Sequence, residues 1–315
     1  MEALGYPLLS PHTHPMDIEI IVNPNSGRGG GPSKAGQIGA ELARMGHRCR
    51  ITLGRNREDA TAWANTSSAK ADRLVVVGGD GSLSAVIDGL PAKCPPLALA
   101  PFGTSNLLAN ELRIPKRPEG IAALACSSRI LQLDTSRVHF QSPTSESTLN
   151  SRSFLAWGFG LDGELMRRMQ KKRQGPIHKA DYLPLVGRLL QEWQATPQRV
   201  IADGKDLGEF EFGIISGMRT YAMKGLRLGK AAYSDGLWEL YLFPRFNLSS
   251  GSMYVAASAI GKLADAPGVV HCKAKSVRVE GAAPTPIQID GDYVGNTPVD
   301  FSLNEPPLPI LLPQR

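Results

Sequence analysis

Leu74-Val75-Val76-Val77-Gly78-Gly79-Asp80-Gly81-Ser82 joins an apolar, β-branched run to a glycine-rich turn, and helical spacing begins near Ser82. Such a run reads as a buried strand emptying into a tight turn with a helix behind it. Glycines there let the main chain take conformations closed to other residues and let a ligand approach the backbone. The amides that open the following helix favour an anion. Asp80 is therefore an acid in a place suited to anions. It fits best as a carboxylate facing Mg²⁺ on a phosphate or an attacking hydroxyl; a helix cap is the competing reading.

The same alternation runs outward on both sides. Spacing predicts strands over 18–22, 49–53, 74–77 and 97–100, and helices over 34–45, 57–69, 82–90 and 105–112. Strands and helices in turn imply a parallel sheet with helices on both faces, whose strand-end loops bind ligands. Three such loops are expected to converge: Asn23-Pro24-Asn25-Ser26-Gly27-Arg28-Gly29-Gly30-Gly31, the Gly78 turn, and Pro101-Phe102-Gly103-Thr104-Ser105-Asn106. The first can cradle phosphate through backbone amides and the Arg28 guanidinium, or simply be flexible. It lacks the Gly-Lys-Ser/Thr ending of a Walker A loop, and Pro32 stands where a dinucleotide fingerprint needs its third glycine.

Beyond about residue 130 the pattern changes to short strand-like runs over 130–138, 153–157, 198–202, 209–216, 237–243, 276–280, 286–289 and 299–303. Their density predicts a second, β-rich sandwich domain, with helices over 181–193 and 249–263 packed on it. The boundaries expected are a loose tail over 1–16, an α/β domain over 17–133 and a β-rich domain over 134–303, the end of the chain (304–315) rejoining the first. The apolar, proline-rich stretch 306–313 reads as an edge segment laid on the core.

The chain has 315 residues and a formal net charge of +6, with a pI near 9.2. Acidic partners follow, a class that includes nucleic acid, anionic membrane and nucleoside triphosphates. Its 4 cysteines lie far apart without metal spacing, the pattern of reduced thiols in a cytoplasm. The opening segment lacks the basic start and apolar core of a signal peptide, and no long apolar run is present to span a membrane, so any membrane contact is expected to be peripheral.

Gly158-Phe159-Gly160-Leu161-Asp162-Gly163 matches G-x-G-x-x-G formally, but Lys171-Lys172-Arg173 and Gly175-Pro176 follow instead of a second parallel strand, so it reads as a packing turn. Asp290-Gly291-Asp292 reads either as a two-residue hairpin turn or as two carboxylates sharing acid and base work. The basic run Arg167, Arg168, Lys171, Lys172, Arg173 is a solvated face, or a patch held against an anionic leaflet.

Taken in order, NPNSG at 23–27, GGDGS at 78–82, PFGTSN at 101–106, GFGLDGE at 158–164, SDGLWEL at 234–240 and IDGD at 289–292 resemble the diacylglycerol kinase catalytic-domain family, which also holds sphingosine and ceramide kinases. The resemblance implies an amino-terminal α/β domain of NAD kinase or phosphofructokinase type, a β-rich second domain, and a cleft admitting a lipid. ATP and Mg²⁺ are the implied cofactors, and a lipid at the membrane's inner surface is the implied partner, with no nucleic acid; a homodimer stays open. By motif matching, Asn23, Ser26, Gly27, Arg28, Gly79, Gly81, Gly103, Thr104 and Asn106 meet the nucleotide. Asp80 acts at the phosphate end, Asp235 matches a structural Mg²⁺ position, Asp290 the general base, and Asp292 its usual glutamate companion. Leu107 replaces the aspartate common in relatives acting on diacylglycerol, a pattern closer to sphingosine-type kinases. A soluble-substrate kinase of the NAD kinase type and a non-catalytic binding homologue are the competing readings.

Overall fold

The computed structural model describes residues 14–145, 147–171, 187–189, 191–222, 226–229 and 231–314. The side chains of Gly27, Arg28 and Leu248, most of the expected helix over 181–193, and most of the expected tail lie outside that description. The tail's last residue, Met16, is already buried in the core.

The first sheet has six strands in the order β2-β1-β3-β4-β17-β5. They are β1 (Asp17–Val22), β2 (Arg48–Leu53), β3 (Arg73–Gly78), β4 (Leu97–Pro101), β5 (Ile130–Leu133) and β17 (Leu308–Leu311). β1 to β4 are mutually parallel where they pair; the near-continuous burial of β1, β3 and β4 is what a sheet covered on both faces demands, while the edge strand β2 is largely exposed. Helix α1 (Gly31–Arg44) packs with α5 (Pro118–Ala125), while α2 (Arg57–Ser67) packs with α3 (Asp80–Gly89). Two boundaries differ from the sequence reading. Helix α3 begins at Asp80, two residues early, because Gly79 takes the extended conformation of its N-cap. Strand β17 is no edge: it lies between β4 and β5, parallel to one and antiparallel to the other.

The run 130–138, read as one strand, is two. β5 closes the first sheet and β6 (Ser136–Gln141) enters the second. That second sheet is antiparallel throughout and continuous over eleven strands, with β8 (Ala156–Phe159), β11 (Phe212–Ser216), β12 (Trp238–Phe243), β15 (Pro286–Ile289) and β16 (Asp292–Ser302) at its centre. The expected strand 153–157 is likewise broken: β7 (Thr148–Ser153) ends and β8 begins after Phe154 and Leu155. Phe154, Leu155 and Ala156 are buried in the same contiguous core as the first sheet. Helix α6 (Leu161–Lys171) then packs on β15, where a Cβ on Gly163 would overlap the Pro286 carbonyl. The formal G-x-G-x-x-G is thus a close helix-to-strand contact. None of the four cysteines is joined in a disulfide.

Candidate active site

Three glycine loops meet at the carboxyl ends of β1, β3 and β4. The first is drawn in by the Asn23 amide, which donates to the Val77 carbonyl (3.3 Å), and Ser26 then donates to the Asn23 carbonyl (3.0 Å). A Cβ on Gly78 would lie 3.5 Å from Ser26 Oγ. The second and third loops touch backbone to backbone, a Cβ on Gly79 lying 3.1 Å from Gly103 Cα, while one on Gly103 would overlap Gly79 Cα. Only glycine at both positions permits that approach.

Asn106 closes the third loop. Its Oδ1 accepts from Gly103 N (2.9 Å), and its Nδ2 donates to the Gly103 carbonyl (2.7 Å). Asn23 Oδ1 similarly accepts from Asn25 N (2.9 Å). Both amides therefore shape their own loops, leaving exposed Thr104 and Gly81 as the groups turned outward. Nothing lies within 4 Å of a Cβ placed on Gly81. Helix α1 opens beside the first loop with no acidic residue in its first turn and no side-chain cap, the arrangement in which free amides attract an anion. Lys34, which the motifs do not mark, adds a cation there, its Nζ 5.8 Å from the centre of the Phe102 ring.

Asp80 caps a helix other than its own: α3 has Gly79 at its N-cap and no side-chain cap. Its Oδ2 accepts from Leu107 N (2.9 Å) at the start of α4 (Leu107–Glu111). Burial raises its carboxyl above the usual value, while the Leu107, Leu108 and Asp80 amides pull the other way. At the far end of α4, Glu111 accepts from Arg219 N (2.7 Å), Thr220 N (3.2 Å), Thr220 Oγ1 (2.6 Å) and Tyr233 Oη (2.8 Å). One short helix thus ties Asp80 to the second sheet's loops.

Asp290 and Gly291 form the two-residue turn between β15 and β16, with φ of 50° and 92°. Both signs are positive, as a hairpin turn of the primed kind requires. The turn folds Asp290 inward onto the break between β7 and β8. Its Oδ1 accepts from Ser153 Oγ (2.7 Å), Leu155 N (3.0 Å) and Ala156 N (3.1 Å), whereas Oδ2, among the described residues, accepts only from Phe154 N (3.1 Å). Oδ1 is saturated, and Oδ2 keeps capacity for one more donor. Burial pushes the carboxyl from 3.8 to about 6, against those four hydrogen bonds. Asp292 opens β16 opposite Ile289.

Gln288 links this turn to a second buried acid. Its Oε1 accepts from Gly291 N (2.8 Å), and its Nε2 donates to Tyr221 Oη (3.2 Å). The Tyr221 hydroxyl donates in turn to Asp162, whose carboxyl burial raises to about 6.

Asp235 does not fit a structural metal. Its Oδ2 pairs with Lys273 Nζ (3.2 Å), which also pairs with Glu239 (3.1 Å), and among the described residues no three His, Cys, Asp or Glu gather to hold an ion. The neighbouring Gly236 amide is taken by Asp134 (2.7 Å). Asp80 suits Mg²⁺ in the other manner, as a single carboxylate beside an anion site, since that ion is commonly held by one or two carboxylates together with substrate phosphates. In the basic run, Arg167 and Arg168 both pair with Glu164, at 2.6 and 2.8 Å, and Arg168 also pairs with Glu192 at 2.5 Å. Lys172 and Arg173 lie outside the described residues.

Residues 17–138 match the diacylglycerol kinase catalytic domain, and residues 157–312 match the YegS C-terminal NAD kinase beta sandwich-like domain. The chain belongs to the diacylglycerol kinase catalytic-domain family. Among its relatives, a diacylglycerol kinase of Staphylococcus epidermidis is 22% identical, covering 94% of this chain and 92% of its own length. One from Staphylococcus aureus is 24% identical, with 90% and 88% covered. A crystal structure of a diacylglycerol kinase from Bacillus anthracis superposes with a TM-score of 0.68 at 20% identity, covering 94% of this chain and 96% of that one. Yeast NADH kinase, complexed with NADH, shares the fold more distantly, with a TM-score of 0.52 and 11% identity over 96% of this chain and 85% of that one. Family members of this kind carry the α/β plus β-rich architecture seen here.

Proposed function

We propose that the chain transfers the γ-phosphoryl group of ATP to the hydroxyl of a lipid, of the diacylglycerol or sphingoid type. The observation that carries this reading is the pairing of two elements: a three-loop anion niche, and a buried carboxylate with one oxygen left to accept. Phosphoryl transfer asks mainly for positioning and charge neutralisation. Backbone amides of the glycine loops, the first turn of α1 and Lys34 face the phosphates. Asp80 would hold the Mg²⁺ that accompanies them and offsets their charge. Asp290 Oδ2 takes the acceptor hydroxyl's proton late in the transfer. Using ATP, the enzyme works from the cytoplasm at the inner membrane face.

The test is labelled ATP and Mg²⁺ with diacylglycerol, monoacylglycerol, sphingoid bases, ceramide and phosphatidylglycerol in mixed micelles, with NAD as the soluble competitor. Transfer to a lipid and none to NAD is expected. Transfer to NAD alone would make the distant likeness to NADH kinase the better guide, and ATP binding without transfer to any acceptor would leave a binding protein.

Two glycines separate fold from ligand. Gly81→Ala meets open space inside a helix, so its melting temperature should stay at or above that of the parent, while the KM for ATP rises about tenfold if phosphate uses that space. Gly103→Ala instead forces two backbones apart and should destabilise by about 1–3 kcal/mol. Calorimetry and ATP titration distinguish them; equal effects in both would remove the assignment of Gly81 to the phosphate side.

A further inference from the structure

Helix α7 (Leu248–Ala259) is built unlike the others. From Phe246 to Gly261 there is no charged side chain, so the helix is apolar or small on every side, the composition of a buried helix. Yet among its described side chains a narrow strip alone, Gly251, Tyr254 and Ser258, is buried. Tyr254 packs there against Phe243 and Phe246, with ring centres 4.8 and 6.0 Å away. The outward side presents Met253, Val255 and Ala256, then Ala259 and Ile260, with Val255 58% and Ile260 69% exposed. A cluster of exposed apolar side chains on one helix marks a contact surface.

The charges at its ends identify the partner. Arg245 precedes the stretch and Lys262 follows it, both exposed. Arg227 reaches the same end, its amide donating to the Ser258 carbonyl (3.0 Å) and its Cδ lying 3.7 Å from a Cβ placed on Gly261. The first acid along the chain is Asp265, in the turn beyond. An apolar face bracketed by cations complements an anionic lipid surface, with the apolar side entering the headgroup boundary and the cations meeting phosphates. A two-fold contact between copies of this chain would bring the same cations together, which disfavours that occupant.

We propose that the outer face of α7 docks the protein on an anionic membrane. This rests on the lipid-acceptor reading for its purpose, and the fold connects the two. The aromatic cluster beneath α7 extends to Leu161 and Tyr221, and Tyr221 reaches the Asp290 turn through Gln288. Seating α7 therefore places on the bilayer an element whose packing is continuous with the Asp290 side of the site.

The test is co-sedimentation of the full chain with vesicles of phosphatidylcholine alone and of phosphatidylcholine with phosphatidylglycerol. Binding to the anionic vesicles, weakened by salt, is expected. Val255→Asp with Ile260→Asp should lower that partition at least about tenfold, and Arg245→Ala with Lys262→Ala by several-fold. Melting temperature and turnover on a water-soluble, short-chain diacylglycerol should stay within about twofold of the parent, since neither pair touches the site. Unchanged vesicle binding in the Asp variant overturns the docking face. So does a change of sedimentation coefficient showing that the same residues hold two copies together. Absence of turnover on any lipid in the parent refutes the acceptor reading instead, and is read independently of vesicle binding.

Discussion

Asp290→Asn should lower turnover by about 10²–10⁴-fold, the range by which a positioned base assists proton transfer. An asparagine oxygen can keep the three contacts made by Oδ1, from Ser153 Oγ and the Leu155 and Ala156 amides. The lost atom is Oδ2, where an amide group would face Phe154 N–H and could accept no proton. The pH profile gives an independent check. With the carboxyl raised from 3.8 to about 6 by burial, the base is protonated at lower pH, so kcat/KM should fall about tenfold per unit below that value. Stability runs the opposite way. A folded value above the unfolded one means that Asp290 stabilises fully below its ordinary value, and that contribution is lost as pH rises through about 6. Asp162, also raised to about 6, titrates in the same window. Asp162→Asn should retain the acid limb in its residual activity, while Asp290→Asn should lose it. Near-normal turnover in Asp290→Asn, with turnover lost in Asp80→Asn, would transfer the base to Asp80.

Asp290 also explains why two readings of one motif could not be separated in the sequence. Asp290-Gly291-Asp292 reads in the sequence as a hairpin turn or as two carboxylates sharing acid and base work; the structure has the turn, and positive φ there is what swings the Asp290 carboxyl inward. Asp80 is similar, since its cap function is satisfied by Leu107, an amide from another loop that no local spacing reveals. The alternation of strands and helices before residue 113, and the convergence of the three loops, were legible because each depends on local period and glycine chemistry. The crossing between sheets was not. Residues 130–138 keep one apolar rhythm while Asp134 bonds to Tyr233 and Gly236 and turns the chain into the second sheet. The apolar, proline-rich stretch 306–313 reads as an edge segment, whereas the place that β17 fills between β4 and β5 is set by tertiary pairing alone. Glu111, Lys34 and Arg152 gave no signal, because their partners are remote in the chain.

Arg152→Met should destabilise the protein by about 3 kcal/mol, because three largely buried oxygens lose their donor and each polar group left unsatisfied costs about 1–3 kcal/mol. The guanidinium is 5% exposed and sits 3.3 Å from Glu305. It donates to the Ile87 carbonyl (3.2 Å), Thr135 Oγ1 (3.0 Å) and the Pro306 carbonyl (3.2 Å). Methionine keeps comparable length and apolar bulk, so the loss reports the charge and its donors. Glu305→Gln should cost less, because Arg152 keeps its three carbonyl and hydroxyl acceptors. Combining the two should cost less than their sum, since both remove the Arg152–Glu305 pair, while Glu305→Gln alone also removes the pair of Glu305 with Arg137 (2.9 Å). Urea unfolding monitored by tryptophan fluorescence measures all three, and a single variant Arg152→Met within about 1 kcal/mol of the parent would contradict the assignment. The consequence extends to catalysis. Ile87 lies in α3, whose first residue is Asp80, and Pro306 leads into β17. Arg152 itself directly precedes Ser153, Phe154, Leu155 and Ala156, which hold Asp290. One buried cation thus ties the helix headed by Asp80 to the segment that holds Asp290; on the proposed roles of the two acids, a milder Arg152→Lys, folded at low temperature, should lose kcat more than it raises the KM for ATP.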